Sequence, residues 1–305
     1  MADVLDVRGV RKSFRTGFIP RTRDVLRGIS FTVSQGEIFG YLGPNGAGKT
    51  STIKCVLGLM FPDGGTIMLR GLSPLDPRAK AGLGFLPENP YFYDHLTASE
   101  FLDFYAQLFG LPKAERAERT ARLLRLVGVE KAAGLALRKF SRGMLQRVGL
   151  AQALVNDPSF VILDEPLGGL DPIGRKEFRD IILGLKEAGK TVLFTSHILQ
   201  DIEMICDRVA ILVEGRVHSQ GRLADLVSEK ILFTELTVSG VATAELAGLG
   251  QNVSVQGGRT LLKVADEAGV EAILALVRER RGRVHSLIPR VQTLEDIFVE
   301  AVRRS

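Results

Sequence analysis

The chain has 305 residues, a net charge of +5, 45% hydrophobic and 25% charged residues, the balance of a globular protein rather than a disordered or fibrous one. The length points to two domains, and no stretch reaches the run of about 18 apolar residues that spans a bilayer. The opening ten residues carry charges and no signal-peptide core, and the positive charge is too mild and dispersed to argue for nucleic acid.

The first 70 residues read as short strands and turns. Val4 to Val10, Ser30 to Val33 and Thr66 to Arg70 are strand-like, and Asp63-Gly64-Gly65 is a turn. Four apolar runs then end in polar groups. Ile38 to Leu42 enters Gly43, Leu83 to Leu86 enters Pro87-Glu88, Phe160 to Leu163 enters Asp164-Glu165, and Val192 to Phe194 enters Thr195-Ser196-His197. Continuous apolar runs suit strands buried on both faces of a parallel sheet. Open α/β sheets bind ligands beyond the carboxyl ends of their strands, so one shared site explains all four endings.

Between these strands, Thr97 to Asn156 is helical in pattern. Ala98 to Phe109, Lys113 to Val127 and Met144 to Val155 repeat apolar residues at three and four. The expected insertion spans about 89–156. After Gly221 the character changes to strand, helix, two strands around Gly257-Gly258, helix, strand and a final helix over Leu294 to Val302. That βαββαβ order predicts a small ferredoxin-like α+β domain. The expected division is 1–221 and 222–305. Cys55 and Cys206 lack CxxC spacing and are expected as buried thiols.

Gly43-Pro44-Asn45-Gly46-Ala47-Gly48-Lys49-Thr50 fits GxxxxGK[ST] between a strand and a helix that includes Ser51. Glycines let the backbone wrap an anion, and the N–H groups and helix dipole supply positive potential. Lys49 is expected to neutralise phosphates and the Thr50 hydroxyl to ligate Mg2+. Downstream, Asp164 is expected to hold the metal, and Glu165 to act as general base on an attacking water.

From about Val4 to Gly221 the chain resembles the ATP-binding subunits of ABC transporters. Phe140-Ser141-Arg142-Gly143-Met144 with Gln146-Arg147 is similar to that family's signature, usually LSGGQ. Gly168-Gly169-Leu170-Asp171 resembles its D-loop and His197 its switch histidine. Phe14 stands where the family stacks an aromatic on adenine, and Glu88 occupies the Q-loop position. The resemblance implies an α/β P-loop NTPase cassette with an N-terminal antiparallel β subdomain. It implies ATP hydrolysis in a head-to-tail dimer, homodimer or cassette heterodimer. There Ser141 and Gly143 of one copy meet the nucleotide on the other, Asp171 is expected among the nucleotide-binding residues, and His197 is expected to contact the γ-phosphate and to serve catalysis with Lys49 and Glu165.

Several positions depart from the commonest pattern. Glu88 replaces a glutamine; it can still ligate Mg2+ but adds negative charge. Phe140, Arg142 and Met144 vary the signature, and Gly168 replaces the usual D-loop serine. Lys49, Asp164, Glu165 and His197 are all present, as in a working site. His95, His218 and His285 have no partner in the sequence and are expected to be solvated or packed. Tyr91-Phe92-Tyr93 is either local packing or a contact for a membrane subunit. The tail Thr293-Leu294-Glu295-Asp296-Ile297-Phe298 resembles that of export-type cassettes, which suggests a C-terminal domain that stabilises or regulates the dimer.

The resemblance implies the ATPase of an exporter at the cytoplasmic face of the membrane, working with a separate permease. A soluble ABC ATPase of translation or chromosome maintenance is the rival. Translation-type members carry two cassettes, and this chain has one phosphate loop. Chromosome-type members carry a long coiled coil between Q-loop and signature, and no sustained heptads occur here. A P-loop kinase or GTPase leaves signature, D-loop and histidine unexplained.

Overall fold

The structure is a computed structural model describing residues 3–16, 21–227, 231–291 and 293–303. It divides into two compact units, Met1–Leu223 with Ala301–Ser305, and Ala224–Glu300.

In chain order the first unit contains β1 (Asp3–Thr16), β2 (Arg21–Ser34), β3 (Ile38–Leu42), α1 (Lys49–Val56), β4 (Gly64–Leu69), α2 (Pro77–Lys80) and β5 (Leu83–Leu86). The helical insertion follows as α3 (Ala98–Leu108), α4 (Lys113–Leu126) and α5 (Arg142–Ala153). Then come β6 (Phe160–Leu163), α6 (Pro172–Glu187), β7 (Thr191–Ser196), α7 (Leu199–Ile205), β8 (Arg208–Val213) and β9 (Arg216–Arg222), with α8 (Leu223–Leu226) after them.

Strands β2, β1 and β4 form an antiparallel sheet in that order. The hairpin of β1 and β2 is much longer than the apolar runs predicted. Its added length carries Lys12, Arg15, Arg23 and Asp24, whose polarity hides the strand pattern. The second sheet runs β5-β6-β7-β3-β8-β9, parallel through β8, with β9 antiparallel on the edge. Strands β3, β6 and β7 are buried at every position, which is why their sequences run apolar without alternation. Strands β8 and β9, which the sequence reading did not anticipate, form a hairpin. Only every second residue of β9 is partly covered, the rest being exposed. Phe31 of the first sheet stacks on Tyr41 and Phe39 of β3, with ring centroids 4.9 Å and 5.6 Å away. That shared core fixes the strand that launches the phosphate loop.

The insertion is fastened by capping. Thr97 and Glu100 form a reciprocal capping box on α3, and Ser141 caps α5. Phe92 lies buried against Phe101, whereas Tyr91 is 84% exposed. The aromatic run is therefore part packing and part surface.

The second unit contains β10 (Ile231–Ser239), α9 (Thr243–Leu246), β11 (Gln251–Gln256), β12 (Arg259–Val264), α10 (Glu267–Glu279), β13 (Arg283–Val291) and, as far as Glu300, α11 (Leu294–Arg303). Its antiparallel sheet has the order β11-β12-β10-β13, the arrangement expected of a βαββαβ unit. Leu236, Val238, Leu246, Leu262, Val264, Ile273 and Val277 make its core. Helix α9 stops at Leu246, short of the predicted Leu249. Asp296 accepts from the Thr293 N–H at 2.9 Å, so the tail motif includes the cap of α11. His285, expected without a partner, pairs with Ser239 Oγ at 2.8 Å across β10 and β13.

Candidate active site

Three strand ends converge at the carboxyl edge of the parallel sheet. Strand β3 runs into the loop Gly43 to Gly48, and α1 starts at Lys49. Glycine is required at two loop positions. A Cβ on Gly43 would stand 2.4 Å from the Leu212 carbonyl oxygen, and Gly48 has φ +113° with a Cβ position 2.8 Å from Leu26. Gly48 is the N-cap of α1 and brings no side-chain cap. The first N–H groups of a helix lack intrahelical acceptors, so α1 presents free donors and the positive end of its dipole.

Lys49 is 6% exposed. Its Nζ donates to the Gly43 carbonyl at 2.6 Å and the Pro44 carbonyl at 3.2 Å. It also lies 3.0 Å from Glu165 Oε1, an ion-pair distance without hydrogen-bond alignment. The other Glu165 oxygen, Oε2, is 2.7 Å from His197 Nδ1. Lysine, glutamate and histidine thus form a continuous chain across the ends of β3, β6 and β7.

Asp164 lies below this chain, 1% exposed. Burial pushes its carboxyl above the ordinary range, hydrogen bonds from Thr195 and Thr50 pull it back, and the charges of Glu165 and Glu88 add to the rise. Thr195 clamps both acids. Its hydroxyl donates to Asp164 Oδ1 at 2.7 Å and accepts from the Glu165 N–H at 2.8 Å. Glu165 holds φ +49°, a left-handed conformation that costs a non-glycine residue about 1–2 kcal/mol. The turn sends adjacent carboxylates to different neighbours, Asp164 to Thr195 and Glu165 to Lys49 and His197.

A cavity of about 560 Å³ opens above the loop. Of the predicted residues, Asn45, Gly46, Gly48, Lys49, Thr50 and Ser51 line it, together with Glu88, Glu165 and His197. Gly43, Pro44 and Ala47 stay outside its wall and frame the loop. Phe14 is also outside: it pairs with Arg23 across the hairpin, and Lys12 Nζ sits 5.8 Å from its ring centroid. Arg23 and Val25 of β2 line the cavity instead, and sequence reading missed both, as it missed Arg142. Thr195 was legible only as a polar residue two before His197 at a strand end.

The signature and D-loop residues do not join this wall, Arg142 and Gly168 excepted. Ser141 caps α5, accepting from the Met144 N–H at 3.3 Å, and Gly143 is the second residue of that helix. Asp171 caps α6, accepting from the Gly174 N–H at 2.7 Å. Arg147 ties α5 to Glu177 of α6 and to the Val127 carbonyl. Cys55 and Cys206 are free and buried. Among the described residues no cluster of three or more His, Cys, Asp or Glu could hold a metal alone, and no helix is long and apolar enough to cross a membrane.

Comparison with known proteins gives a consistent picture. The family described as ABC transporter matches residues 26–168. An ABC transporter ATP-binding protein of Synechocystis is 43% identical over 99% of this chain and 85% of its own length. The Nod factor export ATP-binding protein I of Ralstonia nicotianae is 33% identical over 99% of this chain and 94% of its own length. Among solved structures, an ATP-binding subunit of an ABC transporter superposes with a TM-score of 0.65 at 34% identity, covering 73% of this chain and 91% of that one.

Proposed function

The chain belongs to the ABC transporter ATP-binding proteins, and from that premise we propose that it drives export through a separate membrane permease by ATP-dependent pairing of two cassettes. It is an ATP-binding subunit and an ATPase. The observation that carries the proposal is the Lys49–Glu165–His197 chain over the uncapped start of α1. A buried lysine–glutamate pair gains little net energy after desolvation, so Lys49 can exchange Glu165 for phosphate oxygens. Glu165 is then free to take a proton from water, with His197 holding its other oxygen.

Mg2+ fits the residues present. The Thr50 hydroxyl and the Asp164 carboxylate, with Glu88 in the cavity wall, offer hard oxygen ligands. Two carboxylates, phosphates and water are the usual magnesium set. When bound, the metal would neutralise charge on the transferring phosphoryl group.

Ser141 and Gly143 head α5 but lie outside the cavity wall of their own copy. This supports their service to a second copy, homodimeric or heterodimeric. The almost full-length match to a Nod factor export ATP-binding protein, C-terminal unit included, supports export. A permease partner places the chain at the cytoplasmic face of the membrane.

The test is Glu165→Gln. Turnover should fall by at least about 10²-fold, the usual worth of a general base, while ATP binding persists. With ATP and Mg2+ the variant should run at dimer mass in sizing, and with ADP as monomer. Undiminished hydrolysis would remove Glu165 from its role. Purification of the native protein with ribosomes or DNA, rather than a permease, would overturn the transport reading.

A further inference from the structure

One aspartate and two arginines join the segments that carry Glu165 and His197. Asp201 follows His197 into the first turn of α7 and is 1% exposed. Its Oδ1 accepts from Arg179 Nη1 at 3.0 Å. Its Oδ2 lies 3.8 Å from Arg175 Nη2, too far for a hydrogen bond, and has no hydrogen-bond partner among the described residues. Both arginines belong to α6, where their spacing puts them on one face. Arg175 also reaches back towards the end of β6, where its Nε donates to the Leu167 carbonyl at 3.4 Å. Leu167 is buried and lies just beyond Glu165 in the chain.

A buried carboxylate between two guanidinium groups gains little net stability, because desolvation consumes most of the attraction. An apolar residue at this position would fasten α7 to α6 about as well. An ion pair does what apolar packing does not: it fixes direction, since a guanidinium donates along set axes in its plane. Helix α7 has no side-chain cap at its N-cap, Ile198, so the acid in its first turn is its local anchor. The Ile198 N–H donates to Ser196 Oγ at 2.9 Å, which makes the link between β7 and α7 tight and passes any shift of α7 to His197. The His197 ring is 42% exposed, and its hydrogen bond is the 2.7 Å contact with Glu165 Oε2. Its aim therefore depends on how the chain on either side of it is set.

We infer that Asp201 is a positioning residue for ATP hydrolysis: through Arg179 and Arg175 it sets the start of α7, and with it His197, against the segment that carries Glu165. Asp201 lies outside the cavity wall and acts through His197. Its loss would leave the phosphate loop intact and loosen the contact between His197 Nδ1 and Glu165 Oε2. The inference rests on the roles proposed above for Glu165 and His197 and adds the tie that holds the two in register.

The test is steady-state ATPase kinetics of the full-length chain with Mg2+, beside the thermal midpoint of each nucleotide-free variant. Asp201→Asn keeps the volume and removes the charge. It should lower kcat about tenfold, less than the roughly 10²-fold that a 1 Å misplacement can cost, and leave KM for ATP within about twofold. Asp201→Glu, which keeps the charge, should recover much of the lost kcat. Arg175→Gln cuts the link to Leu167 at a partly exposed side chain whose contacts are long. It should lower kcat about threefold with a thermal midpoint within about two degrees of the parent. Parental kcat in Asp201→Asn, or in Arg175→Gln if only that variant folds, would overturn the inference. So would a kcat loss matched by a rise in KM, or one that vanishes when the assay runs well below the thermal midpoint. Undiminished turnover in Glu165→Gln would sink the base role itself, whereas an inactive Glu165→Gln beside a parental Asp201→Asn would sink only this inference.

Discussion

Two helix N-termini in the first unit invite comparison. Helix α1 begins at Lys49 behind a left-handed glycine that supplies no side-chain cap, so its leading N–H groups stay available. Helix α5 begins at Arg142 behind Ser141, whose hydroxyl already accepts from the Met144 N–H, at a long 3.3 Å. The first terminus is built into a cavity with a buried lysine and two carboxylates, whereas of the second only the Arg142 side chain reaches that wall, and Ser141 and Gly143 do not. The same backbone dipole therefore has two uses. One end is a complete anion cradle. The other is a loosely capped donor set, which we propose serves the nucleotide of a second copy.

The largest effect expected from breaking this contrast is at Lys49. Lys49→Ala should lower ATP affinity about 100-fold, the equivalent of about 2.8 kcal/mol, in a direct titration of the monomer. Retained affinity would show that the uncapped helix end suffices without its lysine. Ser141→Ala should behave differently. Monomer affinity for ATP should stay within about twofold, while hydrolysis at dimer-forming concentrations should fall about tenfold. The lost cap should cost only about 0.5–1 kcal/mol. A fall in monomer affinity equal to that of Lys49→Ala would erase the distinction between the two termini.

Much of this is legible in the sequence. The loop Gly43 to Thr50 needs glycines for reasons that any sequence shows, and the apolar runs ending at Asp164 and His197 mark strands buried on both faces. What was not legible depended on tertiary approach. Phe14 was chosen by position, but strand pairing put Arg23 and Val25 at the cavity wall. Arg142 read as a departure from a motif, because nothing local says that a glycine 27 positions later leaves it a seat. Strand β2 was mostly missed because its exposed half carries Arg23, Asp24 and Arg27, so periodicity reported solvent rather than structure. In the second unit, the buried Thr234, Leu236 and Val238 alternate along β10 with less buried neighbours. That period-2 pattern made the strand order easy to anticipate.

The comparison is sharpened further by the threonine that holds the acids below the first terminus. Thr195 bridges Asp164 and the Glu165 N–H at 2.7 Å and 2.8 Å. Thr195→Val keeps the shape and removes both bonds. It should cost about 1–3 kcal/mol, because a buried N–H and a buried carboxylate lose a partner, or several degrees in thermal midpoint. It should also lower kcat with little change in KM, because Glu165 loses its aim while the loop is untouched. Ser141→Ala should show no such drop in nucleotide-free stability beyond its small cap loss.

Asp164→Asn should give the smallest effect, and one of opposite sign. Burial raises the Asp164 carboxyl above its ordinary range, so ionising it opposes folding. Its contribution is fully favourable below the ordinary carboxylate range and is lost as pH rises through the folded-state value. At neutral pH the nucleotide-free Asn variant should therefore melt a few degrees higher than the parent, while losing affinity for Mg2+ with ATP. The gain should shrink as pH falls into the carboxylate range, where the parent carries no buried charge. A parent that melts higher at neutral pH would mean that the Thr195 and Thr50 hydrogen bonds outweigh the burial of the charge. The site would then be held by its polar contacts rather than strained to hold a metal ligand.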